Sequence, residues 1–300
     1  MKIALWSINF SRKINSLDDW LGLLEEQLIY AQQQQVKLLV LPEYLSEHFL
    51  SFAPANLAID QEVPWMAEQS LNLLGPIQRF CDHYQIAMIA GTVPVNDQVD
   101  ETSEHVNRAY FFTPNNSAVQ QDKLCLTPSE KMPQAWYLTP GKEVQVIEWQ
   151  GVKMAILICL DIEMPALSVM LAPLDLDLII VPSMTSKTAG YYRVFGCAKA
   201  RAIELQAAIA VVGPVGRAGE NKLNRTQFSS AAAFYQPCEE PLGHTGVLKE
   251  TAVSNGANLG TLSNELLIAR FDIGQIRELR HGSAEVWPGG WSAEHLRISH

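Results

Sequence analysis

The chain opens on a short, nearly unbroken apolar run, Lys2 to Ile8, which predicts a buried strand. Ser16 then reads as a helix cap, with Asp18 and Asp19 in a first turn where negative charge suits the helix dipole. Leu17, Trp20, Leu21, Leu24, Leu28 and Ala31 recur at helical spacing and define one apolar face. Next, Lys37-Leu38-Leu39-Val40-Leu41-Pro42-Glu43 is an apolar run stopped by proline, so a central strand delivers Glu43 to a sheet edge. The second half opens the same way: Lys153 to Leu160 predicts a strand, Pro165 to Leu171 a short helix, and Asp177 to Ser183 another strand. Two related halves with packed sheets and outer helices would give this echo, and so would chance in any α/β protein.

Between the halves, Asn107 to Thr113 and Ala118 to Asp122 predict a hairpin around Pro114-Asn115-Asn116. Asn96 to Glu104 is polar and acidic, which predicts an exposed loop. Later, Tyr191 to Ala208 has the pattern of a helix, strands are expected near Ala210 to Val212, Ser229 to Tyr235 and Leu266 to Asp272, and the tail after Gly282 reads as an extended arm. No linker divides the chain.

Composition narrows the class. A chain of 300 residues with 48% hydrophobic and 18% charged residues is globular, and should bury roughly three quarters of its unfolded surface. The 32 acids against 22 bases give a net charge of −10, which repels a phosphate backbone or an anionic membrane, so neither is an expected partner. Five cysteines, an odd and sparse number, argue against a disulfide scaffold and for a reducing, cytoplasmic setting. No CxxC or Cys/His spacing suggests zinc, Asn9, Arg12 and Lys13 interrupt the N-terminal apolar run too early for a signal peptide, and no apolar run approaches the ~20 residues of a membrane span.

Candidate chemistry starts at Cys159, which closes the apolar run Met154 to Ile158 and precedes a polar turn and a helix, where α/β folds expose reactive side chains. A cysteine in that position also serves as small apolar core filler. Its reactive form is the thiolate, which needs a base or a cation nearby. Glu43, at the end of its strand, could take the thiol proton, and Lys123 could stabilise the negative oxygen of a tetrahedral intermediate. Each alone reads as a surface charge.

In combination these residues resemble the nitrilase superfamily of carbon-nitrogen hydrolases. Leu41-Pro42-Glu43 is similar to its glutamate motif, Lys123-Leu124 with Glu130 to its lysine region, and Ile158-Cys159-Leu160-Asp161-Ile162-Glu163-Met164-Pro165 to its cysteine elbow. Tyr137-Leu138-Thr139-Pro140-Gly141 and Arg201-Ala202-Ile203-Glu204 extend a likeness that covers Lys2 to about Asp272. The resemblance implies a single-domain α-β-β-α sandwich over residues 1–272, with 273–300 as an extension packing on the domain or on a partner subunit. It implies Cys159 as nucleophile, Glu43 as general base, Lys123 as oxyanion stabiliser and Glu130 as a second glutamate holding substrate and lysine. The implied activity is hydrolysis of a small carboxamide through a thioester, without metal or organic cofactor, in a homodimer or higher homo-oligomer. A nitrile hydrolase, an acyltransferase of the same fold, or a silent binding sandwich are the alternatives.

Two positions depart from the family pattern: Glu163 stands where many members have arginine, and Leu205 where an asparagine commonly follows the helix glutamate. Glu163 either complements the dipole of the next helix or selects a cationic substrate. The elbow and the Lys187 to Gln206 segment are nearer to an amidohydrolase branch than to true nitrilases. Leu160, Ser183, Met184, Thr185 and Tyr191 follow strand ends and are expected substrate contacts. Gly213 to Gly219 fits no phosphate-binding pattern, Arg201 and Glu204 read as a surface pair, a buried support of the site or a dimer contact, His48 as a loop histidine, and Cys125 and Cys197 as inert.

Overall fold

A computed structural model describes residues 1–99, 102–219, 227–256, 266–286, 288, 290 and 293–298. Along the strand Lys2–Trp6 (β1), Ile3 and Leu5 enter one apolar layer and Ala4 and Trp6 another, as a strand buried on both faces requires. The same split separates Leu38 and Val40 from Leu39 in Leu38–Val40 (β2), and Ala87 and Ile89 from Met88 in Ala87–Val99 (β3). These three strands pair in parallel. Thr102–Phe112 (β4) and Val119–Asp122 (β5) add antiparallel strands on one side, and the late strand Leu266–Arg270 (β12) on the other.

The second sheet repeats this plan. Val152–Ile156 (β7), Leu178–Pro182 (β8) and Ala208–Val212 (β9) are parallel, flanked by antiparallel Val146–Trp149 (β6) on one side and Ala232–Tyr235 (β10) and Val247–Glu250 (β11) on the other. The orders β12-β1-β2-β3-β4-β5 and, read in reverse, β6-β7-β8-β9-β10-β11 match strand for strand. Ile3, Leu5, Val40 and Phe111 of the first sheet share a core with Ile156, Ile180, Ala210 and Phe234 of the second, so the sheets pack face to face.

Helices cover both outer faces. Leu17–Gln33 (α1) starts where Ser16 Oγ accepts the Asp19 amide at 3.1 Å, and it buries Trp20, Leu24 and Leu28, worth about 1.5–3 kcal/mol per large side chain. Glu62–Tyr84 (α2) packs beside it. On the second sheet lie Pro165–Leu171 (α3) and Thr188–Glu204 (α4), the latter burying Val194, Phe195, Ala198 and Ala202. The result is an α-β-β-α sandwich.

Several expectations need correction. Residues 96–104 do not form a loop: β3 and β4 continue as a two-stranded ribbon, pairing Asn96 with His105 and Asp97 with Glu104, although 100–101 lie outside the described residues. Polar composition here reflects solvation beyond the sheet, not missing hydrogen bonds. β3 has β2 beside it only up to Ile89, so Pro94 sits where one edge needs no donor. Helix α2 and the start of β3 have no counterpart among the predicted elements. Gly75-Pro76 interrupts the α2 pattern, yet Val63, Met66, Leu73, Ile77 and Cys81 keep one buried face. The helix predicted to Ala208 ends at Glu204, because Gln206 turns left-handed (φ 47°) and Ala208 starts β9.

After β12 the chain forms another helix, Ile273–His281 (α5), with Asp272 as its cap and Ile276 buried in the apolar core. Its Arg277 meets Asp177 at 2.5 Å, and Arg280 donates to the Leu176 carbonyl at 2.7 Å, so residues 273–281 are anchored beside the start of β8. Of the tail beyond Gly282, residues 287, 289, 291–292 and 299–300 lie outside the described residues.

Candidate active site

Strand ends bring the chemical groups together. Glu43 follows β2 at a point where β3 passes so close that a Cβ on Gly91 would lie 1.9 Å from the Pro42 carbonyl oxygen. With φ at +54° as well, only glycine fits there. The Glu43 amide donates to the Ser183 carbonyl at 3.3 Å, which ties the end of β2 to the end of β8 in the other sheet. Lys123 comes directly off β5. Its carbonyl accepts the Gly141 amide at 2.7 Å, and a Cβ on Gly141 would lie 2.8 Å from Asp122 Cβ, which gives the Pro140-Gly141 turn a reason.

Cys159 leaves β7 through Leu157 and Ile158 and takes φ 49°, a left-handed conformation that a non-glycine residue keeps only under constraint. Asp161 supplies the constraint. Its Oδ2 accepts the Ile158 amide at 2.9 Å, while Oδ1 accepts the amides of Cys125 at 2.7 Å and Leu124 at 3.2 Å. One buried carboxylate therefore locks the cysteine turn to the segment that follows Lys123. Burial pushes Asp161 up to about 6, against the pull of those backbone N–H groups.

The three expected side chains and Glu130 meet. Lys123 Nζ donates to Glu43 Oε1 at 2.7 Å and to Glu130 Oε1 and Oε2 at 2.8 and 2.9 Å, with 1% to 3% of each side chain exposed. Burial acts to lower the Lys123 pKa, but the two carboxylates outweigh it and hold the ammonium above the usual lysine range. Burial pushes Glu43 up to about 7, with Lys123 opposing and Glu130 adding. Glu130 moves down despite burial, because Lys123, the Tyr44 hydroxyl at 2.5 Å and the Thr127 amide at 2.7 Å all favour its charged form. One ammonium thus holds two unlike carboxylates: Glu130 stays a counter-ion, and Glu43 exchanges a proton near neutrality.

Cys159 lines the same cavity as this cluster, with its thiol directed to the Met184 carbonyl at 3.7 Å. Burial and the negative Glu43 raise its pKa, while Lys123, the Ser183 hydroxyl at 3.5 Å and the Met184 backbone act the other way. Raised on balance, the resting group is a thiol, so attack requires proton transfer to a base.

Cys159, Leu160, Met184 and Thr185 line an open cavity of about 350 Å³, with Trp136 and Phe228 as aromatic walls. Ser183 lies behind it, bonded to the sulfur. Tyr191 is a correction: it packs on Phe195, ring centroids 4.4 Å apart, and does not line the cavity. Neither do Arg201 and Glu204, which form an i,i+3 ion pair at 2.7 Å with half of the Glu204 side chain exposed. His48 is buried, stacked on Phe10 and bonded through Nε2 to the Arg12 carbonyl at 2.8 Å, and burial lowers it to about 4, so it is a neutral structural group. All five cysteines are free. Glu163 pairs with Arg193 at 3.0 Å at the cavity wall.

Sequence reasoning missed Tyr44, Asn107 and Asp161. Asn107 donates to Glu43 Oε1 at 3.0 Å from inside β4. The available signals were a buried-looking asparagine at the head of an apolar strand and an acid three residues after Ile158, the spacing at which a side chain caps a turn.

The carbon-nitrogen hydrolase family model matches residues 3–281. A probable hydrolase, YhcX, of Bacillus subtilis (strain 168) is 26% identical over 282 residues, 92% of this chain but 52% of that protein, so the chain spans about half the length of this relative. Omega-amidase YafV of Escherichia coli (strain B / BL21-DE3) is 27% identical over 61% of this chain and 63% of its own. Among solved structures, Saccharomyces cerevisiae Nit3, of branch 10 of the nitrilase superfamily, superposes with a TM-score of 0.66 at 18% identity, covering 93% of both chains. A cysteine-to-serine mutant of the Nesterenkonia AN1 amidase, of the same superfamily, gives 0.63 at 18% identity over 93% of this chain and 94% of its own. No described helix is long and apolar enough to cross a membrane. With the family model matched over nearly its whole length, and the sandwich shared with these structures, the chain belongs to the carbon-nitrogen hydrolase family.

Proposed function

We propose that this hydrolase is a cysteine-dependent amidase that cleaves the carbon-nitrogen bond of a small carboxamide. The observation that carries the reading is Lys123 bonded at once to Glu43 and Glu130 beside a cysteine held in a left-handed turn. Glu43 takes the Cys159 proton as the sulfur attacks the amide carbon. The carbonyl oxygen becomes an oxyanion, stabilised by Lys123 and the Leu160 amide. Protonated Glu43 then gives its proton to the nitrogen, the C–N bond breaks, and ammonia leaves a thioester on Cys159. Water, deprotonated by Glu43, attacks that thioester, the acid departs, and the thiol regains its proton.

Two roles for Glu43 fix the sign of the pH dependence. As the base it must be ionised in the free enzyme, and burial holds it at about 7. kcat/KM should therefore climb about tenfold per pH unit on the acid side and level off above about pH 7. The test is ammonia release from a panel of short amides and nitriles between pH 5 and 9. A flat profile over that range would remove Glu43 from the proton-transfer role, and nitrile consumption without amide turnover would replace the amidase reading by a nitrile hydrolase.

A further inference from the structure

A second cavity lies apart from the catalytic one and carries a different charge. Phe10, Ser11, Arg12, Lys13, Ser51 and Arg217 line a hollow of about 220 Å³, enough for several waters. Among the described residues, three bases and no carboxylate line it, in a chain whose net charge is −10. Its sign therefore does not follow from the chain's average. The backbone fixes the two loops that carry these charges. The Phe10 amide donates to the Val215 carbonyl at 2.8 Å, the Arg217 amide to Ser11 Oγ at 3.0 Å, and His48 Nε2 holds the Arg12 carbonyl at 2.8 Å. Gly216 takes φ +81°, and a Cβ there would lie 2.2 Å from Asn9 Oδ1, so only glycine lets the loops come this close. The cavity also reaches the catalytic one by two routes. Phe228 walls the catalytic cavity, meets the Phe10 ring edge-on at 5.8 Å, and exchanges two backbone hydrogen bonds with Gly216, next to Arg217. The short helical turn Leu45–Ser51 runs from Tyr44, at the catalytic cavity, to Ser51, at the second.

We propose that this second cavity is an effector site for a small phosphate-type anion, free phosphate or a phosphate monoester, whose occupation is felt at Cys159. Two planar guanidinium forks, one ammonium and the Ser11 and Ser51 hydroxyls match the several oxygens and nearly two charges of a phosphate better than they match a single carboxylate. Because a guanidinium presents five N–H donors, Arg12 and Arg217 can each take up an anion without giving up a protein neighbour. No short sequence pattern marks such a site, since 206 positions separate Ser11 from Arg217.

The test is calorimetric titration of the full chain with inorganic phosphate and with glycerol phosphate, with chloride as the control for general salt effects. Saturable binding of phosphate is expected, weakened by added salt. Tighter binding of the ester would identify monoesters as the ligand, and equal binding the free ion. Lys13 is exposed, so Lys13→Glu should fold as the wild type does and weaken binding by about tenfold or more. The link to the active site is read without any substrate, as the rate at which iodoacetamide labels Cys159, followed by peptide mass. Saturating phosphate should change that rate by about twofold or more in the wild type and leave it unchanged in Lys13→Glu. No saturable binding, or binding that survives Lys13→Glu undiminished, overturns the site. Binding with an unchanged labelling rate overturns its effector role. All of these outcomes are independent of whether an amide is the substrate.

Discussion

Replacing Cys159 by alanine should lower ammonia release by on the order of 10⁴-fold or more while leaving the fold intact. No other group in the cavity can form the thioester: Ser183 lies behind the sulfur, donating to it, and Glu43 and Lys123 are locked to each other. The stability change should be small, because the lost sulfur makes only long contacts of 3.5 and 3.7 Å. Alanine keeps a Cβ and so keeps the left-handed strain at φ 49°. Cys159→Gly removes it, and should be equally inactive but more stable than Cys159→Ala by about 1 kcal/mol in urea unfolding. Equal stabilities would mean that the elbow stores no strain, and residual activity near wild type in either variant would remove the nucleophile.

Lys123→Met should both inactivate and destabilise. It removes the ammonium facing the oxyanion, a loss of about 10²–10³ in kcat for one such donor. It also leaves Glu43 and Glu130 buried without a counter-charge, a defect of about 3–5 kcal/mol at neutral pH. The pH sign follows from proton uptake. Without Lys123, burial raises both carboxyl groups above their unfolded pKa near ~4.3, so the folded variant binds more protons than the unfolded chain. The variant is then nearest to wild type at about pH 4.5 and loses ground as pH rises toward 8. Urea unfolding at pH 5 and pH 8 measures this; a deficit that is equal at both values, or larger at pH 5, would contradict the buried charge cluster.

Much of this molecule was legible in sequence because its central strands are short, apolar and stopped by proline. β2 and β8 both end that way, and both hand a residue of the candidate site, Glu43 and Ser183, to the same edge. Ser16 capped α1 where expected because a cap is a local device. Glu43, Lys123, Glu130 and Cys159 were legible as a family resemblance in motif order, which spacing alone does not supply.

What escaped prediction depended on partners distant in the chain. Asp161 matters because it accepts from Leu124 and Cys125, more than thirty residues away, and no local pattern records that contact. Asn107 read as an ordinary strand residue until Glu43 was placed across from it at 3.0 Å. Glu163 read as a helix-dipole acid or a substrate selector, and only the approach of Arg193 from α4 showed its charge to be matched. The ribbon of β3 and β4 was hidden for a different reason: beyond the sheet edge a strand pair can be polar on both faces.

The central claim is that Cys159 attacks the amide carbon with Glu43 as its base. The most direct measurement is the mass of acid-quenched enzyme during turnover of an amide, followed by peptide mapping. A gain equal to the acyl group, confined to the peptide holding Cys159, released by hydroxylamine and absent from Cys159→Ala, is the predicted result. Turnover with no adduct under rapid quenching, or an adduct on any other residue, would contradict it.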